Sequence, residues 1–161
     1  MKNSKTPLVI ILPNIRSAMN IGAIFRTADA VGVDKIYLSG YSATPKHPKV
    51  VKTAIGAEKT VPWEYNKDTK IIINDLKNLG YQIIGLEHTS TAEQIWDADL
   101  DFPIALIVGN EIHGIPDDQL RLCDKVIYLP MLGEKESLNV ATATGIAAYN
   151  ILERHLLASK K

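Results

Sequence analysis

The stretch Leu8-Val9-Ile10-Ile11-Leu12-Pro13-Asn14-Ile15-Arg16-Ser17-Ala18-Met19-Asn20-Ile21-Gly22-Ala23-Ile24-Phe25-Arg26-Thr27-Ala28-Asp29-Ala30-Val31-Gly32 decides how this 161-residue chain is read. Residues 8–12 are a continuous apolar run of strand length, stopped by Pro13. Ile21, Ile24, Phe25, Ala28 and Val31 then recur at spacings of three and four, with Asn20 placed as an N-cap and Gly32 as a stop. That is one strand followed by one amphipathic helix.

The same alternation continues outward. Residues 36–38 read as a second strand. Residues 44–62 hold three prolines and Gly56 and read as loop with one helical turn. Ile71, Ile72, Asp75, Leu76 and Leu79 make a second helix closed by Gly80, and residues 81–86 the next strand. Residues 103–108 are a buried-type strand, 109–116 a loop, 117–123 a short helix and 125–129 a last strand. A long helix then runs from a Ser137 cap to about Ala158. Strands alternating with helices predict an α/β fold, a mostly parallel sheet covered by helices on both faces, in a single domain spanning 1–161. The final helix is apolar on more than one side, which suits either burial in its own core or burial at a homodimer interface.

Composition narrows the function. Eighteen basic and eighteen acidic side chains give a net charge of zero, and 46% of residues are apolar, which excludes a uniformly basic coat protein and an acidic disordered tail. The neutrality is a cancellation. Residues 1–60 hold nine Lys or Arg against three acids, a surplus of six positive charges, whereas residues 87–118 hold eight acids and no Lys or Arg. Such asymmetry points toward a polyanionic partner on the basic side, although ordinary solvated surface charge produces it too. No apolar run approaches a bilayer span. The polar lead-in 1–6 lacks the pattern of a secretory signal, and a lone cysteine, Cys123, suits a reducing compartment, so a cytoplasmic location is expected.

Several chemistries are missing. The four histidines, His47, His88, His113 and His155, have no metal-type spacing, so no metal site is expected. No G-x-G-x-x-G follows the first strand, no G-x-x-x-x-G-K-[ST] occurs, and no serine sits in a G-x-S-x-G elbow. Three polar segments remain, each at the carboxyl end of a strand, where open α/β sheets bind ligands. They are 14–28 (NIRSAMNIGAIFRTA), 107–116 (IVGNEIHGIP) and 128–143 (YLPMLGEKESLNVATA).

In this order the three segments resemble the three motifs of the SpoU/TrmH-type RNA ribose 2′-O-methyltransferases of the SPOUT superfamily, over residues 8 to about 154. The third, in which Ser137-Leu138-Asn139-Val140 opens the terminal helix, is the most specific. The second departs slightly, with Ile112-His113 between Glu111 and Gly114 where the family often has glycine directly after the glutamate. The resemblance implies S-adenosylmethionine (S-adenosyl-L-methionine) as methyl donor, an RNA substrate, a homodimer with sites where two subunits meet, and a deep trefoil knot in the C-terminal part of the chain. Larger relatives carry an extra N-terminal RNA-recognition domain, whereas only six polar residues precede the first strand here. Recognition by the dimer's own surface favours tRNA over rRNA.

Motif by motif, the resemblance assigns donor binding to Gly109, Leu129 and Leu138, and catalytic or positioning roles to Asn20, Arg26, Glu111, Ser137 and Asn139. The side-chain types suit this work. Arg26 stays protonated at ordinary pH, so it suits an electrostatic role, binding the phosphate and stabilising charge on the attacking oxygen, better than a role as base. Glu111 could hold Arg26 by a charge-assisted pair. Asn20 and Asn139 both donate and accept. The plainer readings stand beside these: Asn20 and Ser137 as helix caps, Leu129 and Leu138 as core, Arg26 as a surface arginine on an amphipathic helix. Arg16, Lys46, Lys49 and Lys52, with Lys59 in the same basic loop, are candidate phosphate contacts. A non-catalytic RNA-binding or assembly protein on the same fold is the alternative, and methylation of bulk RNA with labelled donor separates the two.

Overall fold

The computed structural model describes residues 2–161 and contains a seven-stranded, all-parallel sheet. Strand β1 (Thr6–Pro13) leads into helix α1 (Ala18–Val31), then β2 (Val33–Ser39). Two short helices, α2 (Pro48–Ala54) and α3 (Ala57–Thr60), precede β3 (Trp63–Asn66), α4 (Thr69–Asn78) and β4 (Gln82–Leu86). A two-residue strand β5 (Glu93–Gln94), then β6 (Ile104–Val108), α5 (Asp117–Leu120), β7 (Lys125–Tyr128) and α6 (Val140–Ala158) complete the chain. The order across the sheet is β3-β2-β1-β6-β4-β7-β5.

Strand β1 shows why the run 8–12 is continuously apolar. Successive side chains of a strand point to opposite faces. Leu8, Ile10 and Leu12 pack into one core with Ile21, Ile24 and Phe25 of α1 and Ala147, Ala148 and Ile151 of α6. Val9 and Ile11 pack into a second core with Ile72, Ile73 and Leu76 of α4. Both faces are covered, so both must be apolar.

Three local readings need correction. Helix α1 begins one turn earlier than expected: Ser17, not Asn20, is its N-cap, and the Ser17 side chain accepts from the Asn20 N–H, while Gly32 stops the helix in the left-handed conformation as read. Helix α6 begins at Val140 with Asn139 as the cap, so Ser137 lies in the preceding loop, where it is freed from capping. The proline-rich stretch forms two helices, because Pro48 occupies the first turn of α2, where a missing N–H costs nothing. The expected strand 36–38 extends to Val33–Ser39, and the short edge strands β3 and β5 carry no apolar run that would announce them.

Helix α6 buries Val140, Thr144, Ala147, Ala148 and Ile151 against the sheet and α1, and leaves Ile146, Tyr149 and Leu157 exposed on its other side. Arg154 anchors it laterally. Its guanidinium donates to the carbonyls of Ala98 (2.7 Å) and Ile95 (2.6 Å) and to Asn150 Oδ1 (2.8 Å), fixing a segment that has little regular structure of its own.

Candidate active site

A cavity of about 480 Å³ opens at the carboxyl ends of β4, β6 and β7, roofed by the segment leading into α6. That volume is in the range of small-molecule sites. Gly109, Glu111, Leu129, Ser137, Leu138 and Asn139 all line it. Five of the expected donor and positioning residues from the last two motifs therefore converge here together with Gly109.

The loop after β6 is shaped by backbone packing. A Cβ on Gly109 would lie 2.7 Å from the carbonyl carbon of Gly114, so only glycine permits this approach. Asn110, 9% exposed, exchanges backbone hydrogen bonds with Gly114 and accepts at Oδ1 from the N–H groups of Ile112 (2.8 Å) and His113 (2.9 Å). Its Nδ2 donates to the Asn14 carbonyl and to Tyr41 Oη, both at 2.7 Å. Glu87, at the end of β4, accepts from the N–H groups of His88 (3.0 Å) and Ile115 (2.9 Å). The loop between Gly109 and Gly114 is thereby held from both sides. His113 is exposed, and its N–H serves this loop geometry.

Three motifs meet in one hydrogen-bonded chain. Glu111 accepts from the N–H groups of Arg16 (2.9 Å) and Ser17 (3.2 Å) and from Asn20 Nδ2 (3.3 Å). Asn139 Nδ2 donates to Asn20 Oδ1 (3.1 Å), while Asn139 Oδ1 caps α6 through the N–H groups of Ala141 (2.9 Å) and Thr142 (3.1 Å). Partial burial pushes the Glu111 carboxyl up, but hydrogen bonds from the N–H groups of Arg16, Glu111 itself and Ser17, and from the Asn20 amide, outweigh it and hold it below its ordinary value. Glu111 is thus a carboxylate engaged by the loop before α1. Among the described residues no ion pair joins Glu111 to Arg26, which stands on the exposed side of α1; the carboxylate oxygens accept from the loop before α1 and from Asn20 instead.

Arg26 does not line the cavity. It projects from the exposed side of α1, seven residues and two turns from Met19, which is also exposed, and no ion pair among the described residues includes it. Its neighbour Thr27 faces α6, where Gly145 lies close to it. Lys46 lies in the turn before α2, and Lys49 and Lys52 share one face of that helix. All three, like Arg16, are exposed. Cys123 packs into the second core, and burial, with Asp124 adding to it, pushes its thiol up to about 11, which removes it from nucleophilic chemistry at neutral pH.

The cavity suits a donor with a flat base and a positive sulfonium. Its lining includes Val108, Leu129, Met131, Leu138 and Val140 as apolar surface, and Glu87, Glu111 and Glu136 as carboxylates, with no Lys or Arg. Among the described residues, the backbone N–H and C=O groups of residues 131–138 make no hydrogen bond to other backbone groups, which leaves them available to a bound molecule. Asn14, Asn110 and Glu87 escaped the sequence reading. The signals were present, since Asn14 and Glu87 stand directly after a strand and Asn110 two residues after one, but polar side chains there are common.

The chain is also similar to known proteins over most of its length. The model of the SpoU rRNA Methylase family matches residues 7–149. The chain is 33% identical over 150 residues to a tRNA (guanosine(18)-2′-O)-methyltransferase of Aquifex aeolicus, covering 92% of this chain and 70% of that one. It is 32% identical over 154 residues to the 23S rRNA (guanosine-2′-O-)-methyltransferase RlmB of Vibrio parahaemolyticus, covering 96% of this chain but only 62% of that relative's length. Among solved structures, the TrmH/SpoU tRNA modifying enzyme of A. aeolicus superposes with a TM-score of 0.88 at 29% identity, covering 98% of this chain and 79% of that one. The AdoMet-bound rRNA methyltransferase of Sinorhizobium meliloti gives 0.87 at 29% identity, with coverage of 97% and 59%.

Proposed function

Since the chain belongs to the SpoU rRNA Methylase family, we propose that it is an S-adenosylmethionine-dependent RNA 2′-O-ribose methyltransferase, acting in the cytoplasm as a homodimer with tRNA favoured over rRNA. The observation that carries this reading is the chain of hydrogen bonds Glu111, Asn20, Asn139, which joins the three motifs at the rim of one acid-lined cavity. The similarity to the Aquifex tRNA enzyme, of which the chain covers more than two thirds, supports tRNA. The trefoil threading expected of the family, in a single domain holding donor and acceptor surfaces, belongs to the same proposal.

In this reading the donor supplies an already activated methyl group on a sulfonium. The chain's residues bind, align and stabilise. Free backbone groups of residues 131–138 would hold the donor's adenine and ribose by hydrogen bonds, Leu129 and Leu138 would supply apolar surface to the base, and Gly109 lets its loop pack closely on Gly114. Glu111 fixes the start of α1, and Asn20 and Asn139 orient each other's amides toward the cavity rim. Arg26 contributes from outside: on the exposed side of α1 it serves the cavity of a second subunit, binding the phosphate next to the target ribose and stabilising the developing negative charge on its 2′-oxygen. The exposed apolar residues Met19, Ile146, Tyr149 and Leu157 of α1 and α6 support that association.

Calorimetric titration with S-adenosylmethionine is expected to give a low-micromolar Kd, roughly −8 kcal/mol. The Arg26→Ala variant should bind the donor as wild type does while losing incorporation of labelled methyl into tRNA. No heat of binding at donor concentrations well above that Kd would overturn the donor assignment, and full activity in Arg26→Ala would overturn the role of the arginine.

A further inference from the structure

A second recess of about 540 Å³, wide open to solvent, lies beside the end of β2 and is lined by Tyr41, Thr44, Lys46, His47, Pro48 and Tyr65 among others. Tyr41 and Tyr65 are 61% and 47% exposed, yet neither ring is loose. Tyr41 Oη accepts from Asn110 Nδ2 at 2.7 Å, and Tyr65 Oη donates to the Gly40 carbonyl at 2.7 Å. Both hydroxyls are tethered while much of each ring stays open to solvent. Single exposed tyrosines need no explanation, but two that are pinned at the hydroxyl and line one recess form a preorganised aromatic surface.

The charge around the recess has one sign. Its lining holds Lys46 and His47 and no carboxylate, and α2 continues from it with Lys49 and Lys52. His47 Nδ1 accepts from the Lys49 N–H at 3.1 Å, which places the ring proton on Nε2 as a further donor. Aromatic faces beside cations are the elements with which proteins hold single-stranded nucleic acid: bases stack on the rings, and phosphates meet the positive groups. A duplex keeps its base faces covered and offers nothing to such rings.

We propose that this recess is a stacking subsite for one unpaired base of the RNA substrate, with Tyr41 and Tyr65 contacting the base and Lys46 and His47 an adjacent phosphate. The assignment rests on the RNA-methyltransferase reading above and extends it to the form of the substrate, a single-stranded nucleotide near the methylated ribose. Asn110 links the two sites physically, since the same carboxamide that holds Tyr41 shapes the loop lining the donor cavity.

The test compares binding of a fluorescent decauridylate and of an abasic decamer with equal charge, at one fixed low salt concentration. Wild-type protein should bind the uridylate about tenfold more tightly or better. The Tyr41→Leu/Tyr65→Leu variant should bind both alike, and the Tyr41→Phe/Tyr65→Phe variant, which keeps the rings, should retain the preference. Circular dichroism and the thermal unfolding midpoint of each variant report an intact fold. Equal affinity of the wild type for the two decamers overturns the subsite, and needs no variant. So does a leucine variant that keeps the preference, or one whose only change is a shift in oligomeric state by sedimentation, which would make the recess a subunit contact. If the wild type methylates tRNA yet shows no base preference, the subsite falls and the activity stands. If it neither methylates nor binds RNA, both fall.

Discussion

Glu111 shows how one carboxylate can organise a site through the donors it gathers. Its two oxygens gather two backbone N–H groups and one amide from the first motif, although 91 to 95 residues separate them in sequence. Replacement by Gln keeps the shape but puts an amide N–H₂ where an acceptor is required. We expect Glu111→Gln to lower stability by about 1 kcal/mol, a figure discounted for the solvent exposure of the group, in urea unfolding at pH 7. The pH dependence has a definite sign. A carboxyl held below its ordinary value stabilises the fold above the unfolded-state value, and that contribution is lost as pH falls through the folded-state value. The wild-type advantage over Glu111→Gln should therefore be full near neutrality and shrink in acid below the usual carboxylate range. A difference that is constant with pH would refute the account. The resemblance of the three motifs made Asn20, Glu111 and Asn139 legible in the sequence, but not their partners: the expected partner of the glutamate was Arg26, and only three-dimensional placement brings it to the loop before α1.

At the scale of elements, the amphipathic period of α1 and the apolar run of β1 were legible because burial dictates them directly. The boundaries shifted where two residues compete to cap one helix. Ser17 and Asn20 are three apart, as are a cap and the N–H it accepts from, so either could open α1; Asn139 displaces Ser137 for α6 because its carboxamide accepts from two N–H groups at once. Strands β3 and β5 were invisible because edge strands need bury little. Arg154 belongs to this scale as well, since one side chain attaches α6 to the irregular segment around Ile95 and Ala98. Arg154→Ala leaves those carbonyls without their charged donor and should cost about 2 kcal/mol in thermal or urea unfolding. Arg154→Lys should recover only part of it, because an ammonium cannot span both carbonyls as the planar fork does.

For the whole molecule, the zero net charge hides a division of labour. The donor cavity is lined by three glutamates, and the lysines of α2 and its leading turn sit beside the tyrosine-lined recess. Phosphate contacts release counterions, so RNA affinity should fall with salt. If Arg16, Lys46, Lys49 and Lys52 each meet one phosphate, log affinity for single-stranded RNA should fall against log salt with a slope of about −3, and Lys49→Ala/Lys52→Ala should reduce it by about 1.4. Donor affinity should stay nearly flat over the same range. A salt slope near zero for RNA would remove the basic surface from recognition.

The polar chain from Glu111 through Asn20 to Asn139 also has a consequence in time. It spans contacts 91 and 119 residues apart, so its closure must wait for long loops to be brought together. During synthesis, residues 6–108 already supply five strands that neighbour one another in the sheet, β3-β2-β1-β6-β4, with β5 waiting for β7. The rim of the cavity is still missing at that stage, because Asn139 and the helix it caps follow those strands in the chain. A half-made chain can build much of its core while remaining chemically silent, and the docking of α6 is the event that arms it.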